Sequence, residues 1–309
     1  MIKKILKWTG IILLILIIGV TIVTASRQHL KYDAAYPNIH ASKDTAIIAK
    51  GKHFVYGLAH CTECHSTVNA DSLISLGKEV PLSGGLAFNL PVGTIYSKNI
   101  TPDKETGIGD LTDQEIARVL RFGVHANGEA VYDFMPFHNM SDEDLTAVIS
   151  YLRTIQPVKN KVPGNKLNLI GNAVKAYMVK PVGPSGDVPA SIKADTTASY
   201  GKYLVLSVGN CAGCHTKRDL SGAYLAPLLS GGTPMGGGLI PPNLTNTPEG
   251  RIYTWTEQQF IDRFHKGKLF AESEMPWNSF KHMNDDELKA IYEFLKTVPA
   301  AKTPDVADK

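Results

Sequence analysis

The placement of four cysteines constrains this 309-residue sequence more than any other feature. They form two C-x-x-C pairs, and a histidine follows each pair directly, as C-T-E-C-H at 61–65 and C-A-G-C-H at 211–215. A disulfide or a redox-active dithiol has no need of that histidine, and a zinc site needs four convergent ligands where each motif offers three. The pattern therefore points to another use of paired thiols.

The C-x-x-C-H string is the attachment motif of a c-type haem. Two thiols about one helical turn apart can form thioether bonds to the two vinyl groups of one porphyrin, and the adjacent histidine can bind the iron. We therefore expect two covalently bound haem c groups, with His65 and His215 as the proximal iron ligands. The expected thioether sites are Cys61, Cys64, Cys211 and Cys214.

The similarity between the two motif regions extends well beyond the cysteines. Each region has a Gly-Lys pair ten residues before its first cysteine, an Asn-x-Thr element, a capping box, a Met-Pro-aromatic element and a closing helix. These paired elements are, in order, 51–52 and 201–202, 99–102 and 243–246, 112–115 and 256–259, 135–137 and 275–277, and 141–145 and 284–288. The repeat predicts an all-α fold of two tandem modules, each with three or more helices around a prosthetic group.

The predicted segments of the chain are 1–30, 40–157, 158–195 and 196–302. The first is a membrane anchor or an uncleaved signal, the second and fourth are the haem modules, and the third has the proline and glycine content of a linker. A short helix at 166–178 within this linker carries Leu167, Ile170, Val174 and Met178 on one side, and we expect it to pack across the two modules. Sheet content should be low, because no extended alternation at period two appears.

An uncharged, apolar run at 8–25 follows three lysines at positions 3, 4 and 7. A helix of this length spans about 27 Å, close to the thickness of a bilayer core. The lysines place the N-terminus in the cytoplasm and the haem modules on the exported, periplasmic side. The length of the run favours a retained anchor, whereas a cleaved signal peptide would fit the small residues before Ser26.

Charge argues against a nucleic-acid partner. The chain has 32 basic and 29 acidic residues, and without the three N-terminal lysines the balance is 29 against 29. A nucleic-acid binder would need a concentrated basic face elsewhere in the chain.

Two mirrored methionine pairs could supply the sixth iron ligand. Met140 and Met283 each precede the N-cap of a closing helix, where an apolar residue packs on the helix as a hydrophobic staple. Met135 and Met275 have no such structural explanation, and each precedes a proline in a loop. We predict that Met135 and Met275 are the distal ligands.

Histidines are the rivals for the sixth position. His138 lies close to Met135, but the matching residue of the second copy is Asn278, which favours a surface or supporting role for this histidine. Four further histidines are predicted to be solvated or packed rather than ligating. They are His60, His125, His265 and His282.

With an early C-x-x-C-H motif, helical modules and a late methionine, the chain resembles the class I c-type cytochromes. The stretches at 99–109 and 135–145 look like the cytochrome subunits of membrane-bound alcohol and gluconate dehydrogenases. Those subunits usually have three haem motifs and a C-terminal membrane attachment, whereas this chain has two motifs and an apolar N-terminal run. The resemblance implies the same thioether, proximal and distal residues as those assigned above.

Two axial ligands on each iron would leave no vacancy for a substrate, so the expected role is that of an electron carrier and not an enzyme. The expected partners are redox proteins that donate and accept electrons, such as a dehydrogenase, a quinol-oxidising complex or an oxidase. Two alternatives require an open haem. One is a dihaem peroxidase-like oxidoreductase, and the other is a sensor of small gases.

Overall fold

A computed structural model of the chain describes residues 1–135, 137–219, 222–234 and 238–305. The first half, after the N-terminal helix, contains five helices that precede the linker region. The N-terminal helix and these five are α1 Ile2–Arg27, α2 Thr45–Tyr56, α3 Cys61–His65, α4 Ala70–Ser75, α5 Asp113–Phe122 and α6 Asp142–Thr154. The linker region contributes one helix, α7 Leu169–Tyr177.

The helices of the second half follow the order of the first. They are α8 Ala198–Tyr203, which continues as a π-helical segment Leu204–Val208, then α9 Cys211–His215, α10 Glu257–His265, α11 Trp277–Phe280 and α12 Asp285–Thr297. The prediction of a mostly helical protein is confirmed. The boundaries of the two modules stay predictions.

A small antiparallel sheet departs from the all-α expectation. Its strands, in sheet order, are β1 Ala87–Leu90, β2 Gly93–Tyr96 and β3 Lys166–Leu167. Strands β1 and β2 form a hairpin, and β2 pairs with β3. Gly93 in β2 has a φ of +120°, and a Cβ at this position would lie 2.3 Å from the carbonyl oxygen of Lys166 in β3. The strands are short, so the expectation of low sheet content holds.

The predicted helix starts are confirmed. Thr112 and Thr256 open α5 and α10 through reciprocal capping boxes with Glu115 and Gln259. Ser141 and Asn284 cap the closing helices α6 and α12. The methionines before these two caps are almost fully buried, as hydrophobic staples should be; they are Met140 and Met283.

The linker helix does not pack as the sequence predicts. Helix α7 contacts the end of α1 and strand β3 instead of bridging the two halves. Ile170 and Met178, on the supposed packing side, are exposed. Apolar spacing identifies the helix correctly, but it cannot tell which neighbour covers an apolar side.

Each half is closed by a very close crossing of two helices. A Cβ placed on Gly51 of α2 would lie 1.9 Å from the carbonyl oxygen of Ala147 in α6. In the second half, a Cβ on Gly201 of α8 would lie 1.8 Å from the carbonyl oxygen of Ala290 in α12. Only glycine allows this contact, which explains the Gly-Lys pair found ten residues before each motif.

The two halves share one buried core. They are also joined by two side-chain contacts at equivalent positions of the internal repeat. The Nε2 atom of His53 in α2 lies 2.8 Å from a carboxylate oxygen of Glu287 in α12. This hydrogen bond raises the pKa of His53 above its usual value. At the matching positions, the Tyr203 hydroxyl donates to Asp144 in α6. Each half therefore uses its first and closing helices to hold the other.

We predict that Gly51→Ala and Gly201→Ala each lower the free energy of unfolding by about 1–3 kcal/mol, because the added methyl group forces the crossing helices apart. Alanine forms helices more readily than glycine by about 1 kcal/mol, so helix propensity alone would stabilise these variants. A lower free energy of unfolding therefore reports the close contact between the two helices. Thermal unfolding of the haem-loaded protein, followed by circular dichroism, measures this effect.

The control is Gly164→Ala, because nothing lies within 4 Å of a Cβ at that position. Variants of Gly51 and Gly201 as stable as this control would contradict the packing account.

Candidate haem sites

Each C-x-x-C-H motif forms its own short helix, which begins directly after a sharp change of chain direction. The residues before the first cysteines, His60 and Asn210, have left-handed backbone conformations with φ of +40° and +47°. Asparagine and histidine are among the non-glycine residues that adopt this conformation most readily. In the helices that follow, the two cysteines are three residues apart and so lie on the same side.

The cysteine side chains lack the properties of a redox dithiol. All four cysteines lie within the described residues and form no disulfide. Burial raises the pKa of the Cys61 thiol and of the Cys211 thiol to about 12. A dithiol that exchanges electrons instead has a thiol pKa below the ordinary value. In the described parts of the chain, no group of three or more His, Cys, Asp or Glu side chains converges as a metal site would require.

The two motif histidines are held in the same way. His65 donates from Nδ1 to the carbonyl oxygen of Lys98 at 2.7 Å, and His215 donates from Nδ1 to that of Pro242 at 2.8 Å. Both rings are buried, and burial lowers the pKa of each. A neutral ring with its proton on Nδ1 has its lone pair on Nε2, which is the arrangement that a metal-binding histidine needs.

An asparagine follows each of these two carbonyl groups and anchors it. Asn99 is buried; its side-chain oxygen accepts from the backbone and the hydroxyl of Thr101, and its amide donates to the carbonyl of Val158 at 2.8 Å. Asn243 makes the same bonds with Thr245 and donates to the carbonyl of Ala301 at 2.8 Å. The Asn-x-Thr repeat is visible in the sequence, but its role as the support of the proximal histidine is not.

A cavity of about 1340 Å³ lies in the first half. Cys61, Cys64 and His65 line it, and so does Met135. Apolar side chains from several elements of the same half form much of the remaining wall. They include Ile95, Ile108, Ile116, Leu120, Val148 and Leu152. Paired thiols, a neutral imidazole and a thioether around an apolar space fit a covalently attached haem c.

Both candidate methionines of the first half line this cavity. Met135 is half-buried, whereas Met140 is 1% exposed and packs in the core. In the second half, Met275 packs against the core beside α11, and Met283 is 2% exposed. Pro136, the proline that follows Met135, lies outside the described residues. The choice of Met135 and Met275 as distal ligands stays a prediction.

His138 is buried, with both ring nitrogens close to polar partners. Its Nε2 lies 3.1 Å from a carboxylate oxygen of Asp133, and its Nδ1 lies 3.3 Å from the carbonyl oxygen of Arg121. These contacts give it a supporting role. His60 and His125 line the large cavity, where burial lowers the pKa of each ring. The sequence does not indicate that these two histidines line the cavity, because neither lies in a motif.

The second half contacts the first motif directly through α11. The Thr62 hydroxyl lies 3.1 Å from that of Ser279, and Ser279 donates to a carboxylate oxygen of Glu63 at 3.1 Å. The ring of Phe280 packs edge-on against His60, with ring centres 5.5 Å apart. Because Ser279 lies four residues after Met275, these bonds bring the Met275 loop of the second half onto the first C-x-x-C-H helix.

Comparison with known proteins points to one family. Residues 198–299 match the cytochrome c family. The chain is therefore similar to the c-type cytochromes, as its C-x-x-C-H motifs predict, and covalently bound haem c is the cofactor that this family implies.

Several relatives are cytochrome subunits of dehydrogenases. The chain is 31% identical to the cytochrome c subunit of the quinone alcohol dehydrogenase of Gluconobacter oxydans, over 83% of this chain and 56% of that protein. It is 29% identical to the gluconate 2-dehydrogenase cytochrome c subunit of Pantoea cypripedii, over 82% of this chain and 60% of that protein. The chain thus spans somewhat more than half the length of these relatives.

A third relative matches over most of its own length. It is a dihaem c-type cytochrome of Cereibacter sphaeroides, 26% identical over 80% of this chain and 84% of that protein.

We predict that Asn243→Ala raises the reduction potential of a haem bound at His215. Loosening the carbonyl of Pro242 weakens its bond to His215, makes that ligand less basic and so stabilises ferric iron less. The buried bonds lost should also lower the free energy of unfolding by about 1–3 kcal/mol. Potentiometric titration of the haem-loaded protein, followed in the visible spectrum, measures this shift in reduction potential.

Asn246→Ala is the matched control, because Asn246 also donates to a backbone carbonyl, that of Lys296 at 3.0 Å, but is exposed and does not follow Pro242. Equal potentials in the two variants would show that Asn243 does not position His215.

Proposed function

We propose that this chain is a membrane-anchored dihaem c-type cytochrome that transfers electrons without binding a substrate at iron. In each half one C-x-x-C-H helix holds one haem, with His65 and Met135 as axial ligands in the first and His215 and Met275 in the second. The observation that carries the proposal is the cavity of about 1340 Å³ with both thiols, His65 and Met135 in its wall. The second site is supported by the same histidine-to-carbonyl bond at His215.

Haem c, when bound, supplies a one-electron couple between ferrous and ferric iron. The chain sets the properties of that couple. Histidine and methionine would be the two protein ligands of each iron, and the methionine thioether would raise the reduction potential because it favours ferrous iron. The apolar walls keep water away and reduce the solvent reorganisation that accompanies each transfer.

The relatives support a dehydrogenase as one redox partner. They are named as cytochrome c subunits of alcohol, gluconate and fructose dehydrogenases. We extend this partnership to the present chain, which would accept electrons from such an enzyme and pass them to an oxidase or another acceptor. Donation by a quinol-oxidising complex is the other arrangement consistent with the sites.

Helix α1 supports attachment to a membrane. It is 26 residues long, its most apolar 18-residue stretch has a mean hydropathy of 2.5, and none of its residues is buried in the protein. By length and composition it can cross a bilayer. With three lysines before the apolar run, the haem modules at 40–157 and 196–302 would lie on the periplasmic side, joined by the linker at 158–195.

We predict that the dithionite-reduced protein binds no carbon monoxide, because both irons are closed. Met135→Ala and Met275→Ala should each open one haem, so that carbon monoxide changes the visible spectrum of half the haem. The control is Met140→Leu, a change that nearly conserves volume in the core and should leave both haems closed. A haem assay of every variant should give two haems per chain.

Carbon monoxide binding by the unmodified protein would contradict the proposal and favour a peroxidase-like enzyme or a gas sensor. Binding by Met140→Leu but not by Met135→Ala would transfer the distal role to Met140.

A further inference from the structure

The linker helix α7 presents its apolar side to the outside. Leu169 is 89% exposed and Ile170 is 65% exposed, and Tyr177 and Met178 at the other end of the helix are exposed as well. The inward side is formed by small residues, Gly171 and Ala176, which are buried. A surface helix of a water-soluble domain normally shows the opposite arrangement.

Close packing fixes this orientation of α7. A Cβ on Gly171 would lie 1.9 Å from the carbonyl oxygen of Val92, in the turn between β1 and β2. The helix therefore rests directly on the β-hairpin, and no larger residue could take the place of Gly171. Rotating α7 to hide Leu169 and Ile170 would break this contact.

Helix α7 is also bonded to the last turn of α1. Arg27 donates from Nε to the carbonyl oxygen of Ala176 at 3.0 Å, and Gln28 donates from its amide to that of Asn172 at 2.7 Å. The Thr24 hydroxyl lies 3.1 Å from that of Tyr177. Because the apolar run of α1 ends at this turn, these bonds hold α7 at the depth where a spanning helix leaves the bilayer.

The charge around α7 suits an anionic surface. The segment 158–195 contains six lysines and two aspartates. Lys166 and Lys180, on either side of the helix, are exposed. Lysines beside an apolar helix stripe, with a tyrosine at its end, are typical of helices that lie in the headgroup region of a membrane.

We propose that α7 lies in the outer surface of the same membrane that α1 crosses, with Leu169, Ile170, Tyr177 and Met178 among the lipids and the lysines at anionic headgroups. This inference rests on the proposed anchoring by α1. Two attachment points fix the tilt of the haem domains, which a single spanning helix leaves free. The cavity wall also includes Gln28, Asn172 and Lys175, so this arrangement holds the first haem site near the membrane.

The test uses the full-length, haem-loaded protein in nanodiscs of phosphatidylglycerol and phosphatidylethanolamine. Cysteine is introduced by Ile170→Cys or, as the matched control, by Leu269→Cys, which replaces another exposed apolar residue, in the second half. A charged maleimide should modify position 170 about tenfold more slowly than position 269, because lipid shields the thiol. Equal rates would overturn the proposal.

A second variant keeps the test independent of the labelled side chain. Ala173→Cys is also on the exposed side of α7, and its modification should become faster when Leu169→Glu and Ile170→Glu are added. The pair Leu269→Glu and Phe270→Glu is the control and should change nothing. No acceleration by the first pair would overturn the proposal.

Photo-crosslinking identifies what covers the helix. A p-benzoylphenylalanine at position 170 should form lipid adducts, which mass spectrometry detects, and the same group at position 269 should not. Adducts to a second copy of the chain instead of lipid would overturn the proposal.

Release of the chain from membranes by alkaline carbonate would show that the anchoring by α1 itself fails. A chain that stays in the membrane but has position 170 in water would refute the role of α7 alone.

Discussion

The backbone contacts at Gly51 and Gly201 are the constraint on which the rest of the structure depends. At each, the helix that precedes a C-x-x-C-H motif touches the carbonyl oxygen of the closing helix, of Ala147 or Ala290. The contact joins the beginning and the end of each half and so closes the shell around the haem site. The same four helices also carry some of the bonds between the halves, including that of His53 with Glu287.

Within that shell, the position of each motif histidine is set by a backbone carbonyl group and not by another titratable side chain. A carbonyl group fixes the Nδ1 proton, and an asparagine–threonine pair fixes the segment that carries the carbonyl. Such a support does not change its charge with pH. It suits a site that must keep one ligand geometry while iron changes oxidation state, since reorganisation of ligands slows electron transfer.

The sequence was informative wherever a local rule decides the structure. The cysteine spacing, the caps at Thr112 and Thr256 and the apolar run of α1 each predict an element that the structure contains. It was least informative about contacts between distant segments. The exposed stripe of α7, the β-hairpin beneath it and the cavity position of His125 depend on tertiary packing, which apolar periodicity does not report.

Magnetic circular dichroism of the ferric protein in the near infrared distinguishes irons closed by histidine and methionine from other arrangements. The charge-transfer bands in this region differ for methionine, histidine and open coordination. If histidine and methionine close both irons, the histidine–methionine band should have an intensity that corresponds to two haems per chain. A bis-histidine or high-spin signal from either haem would contradict this ligation.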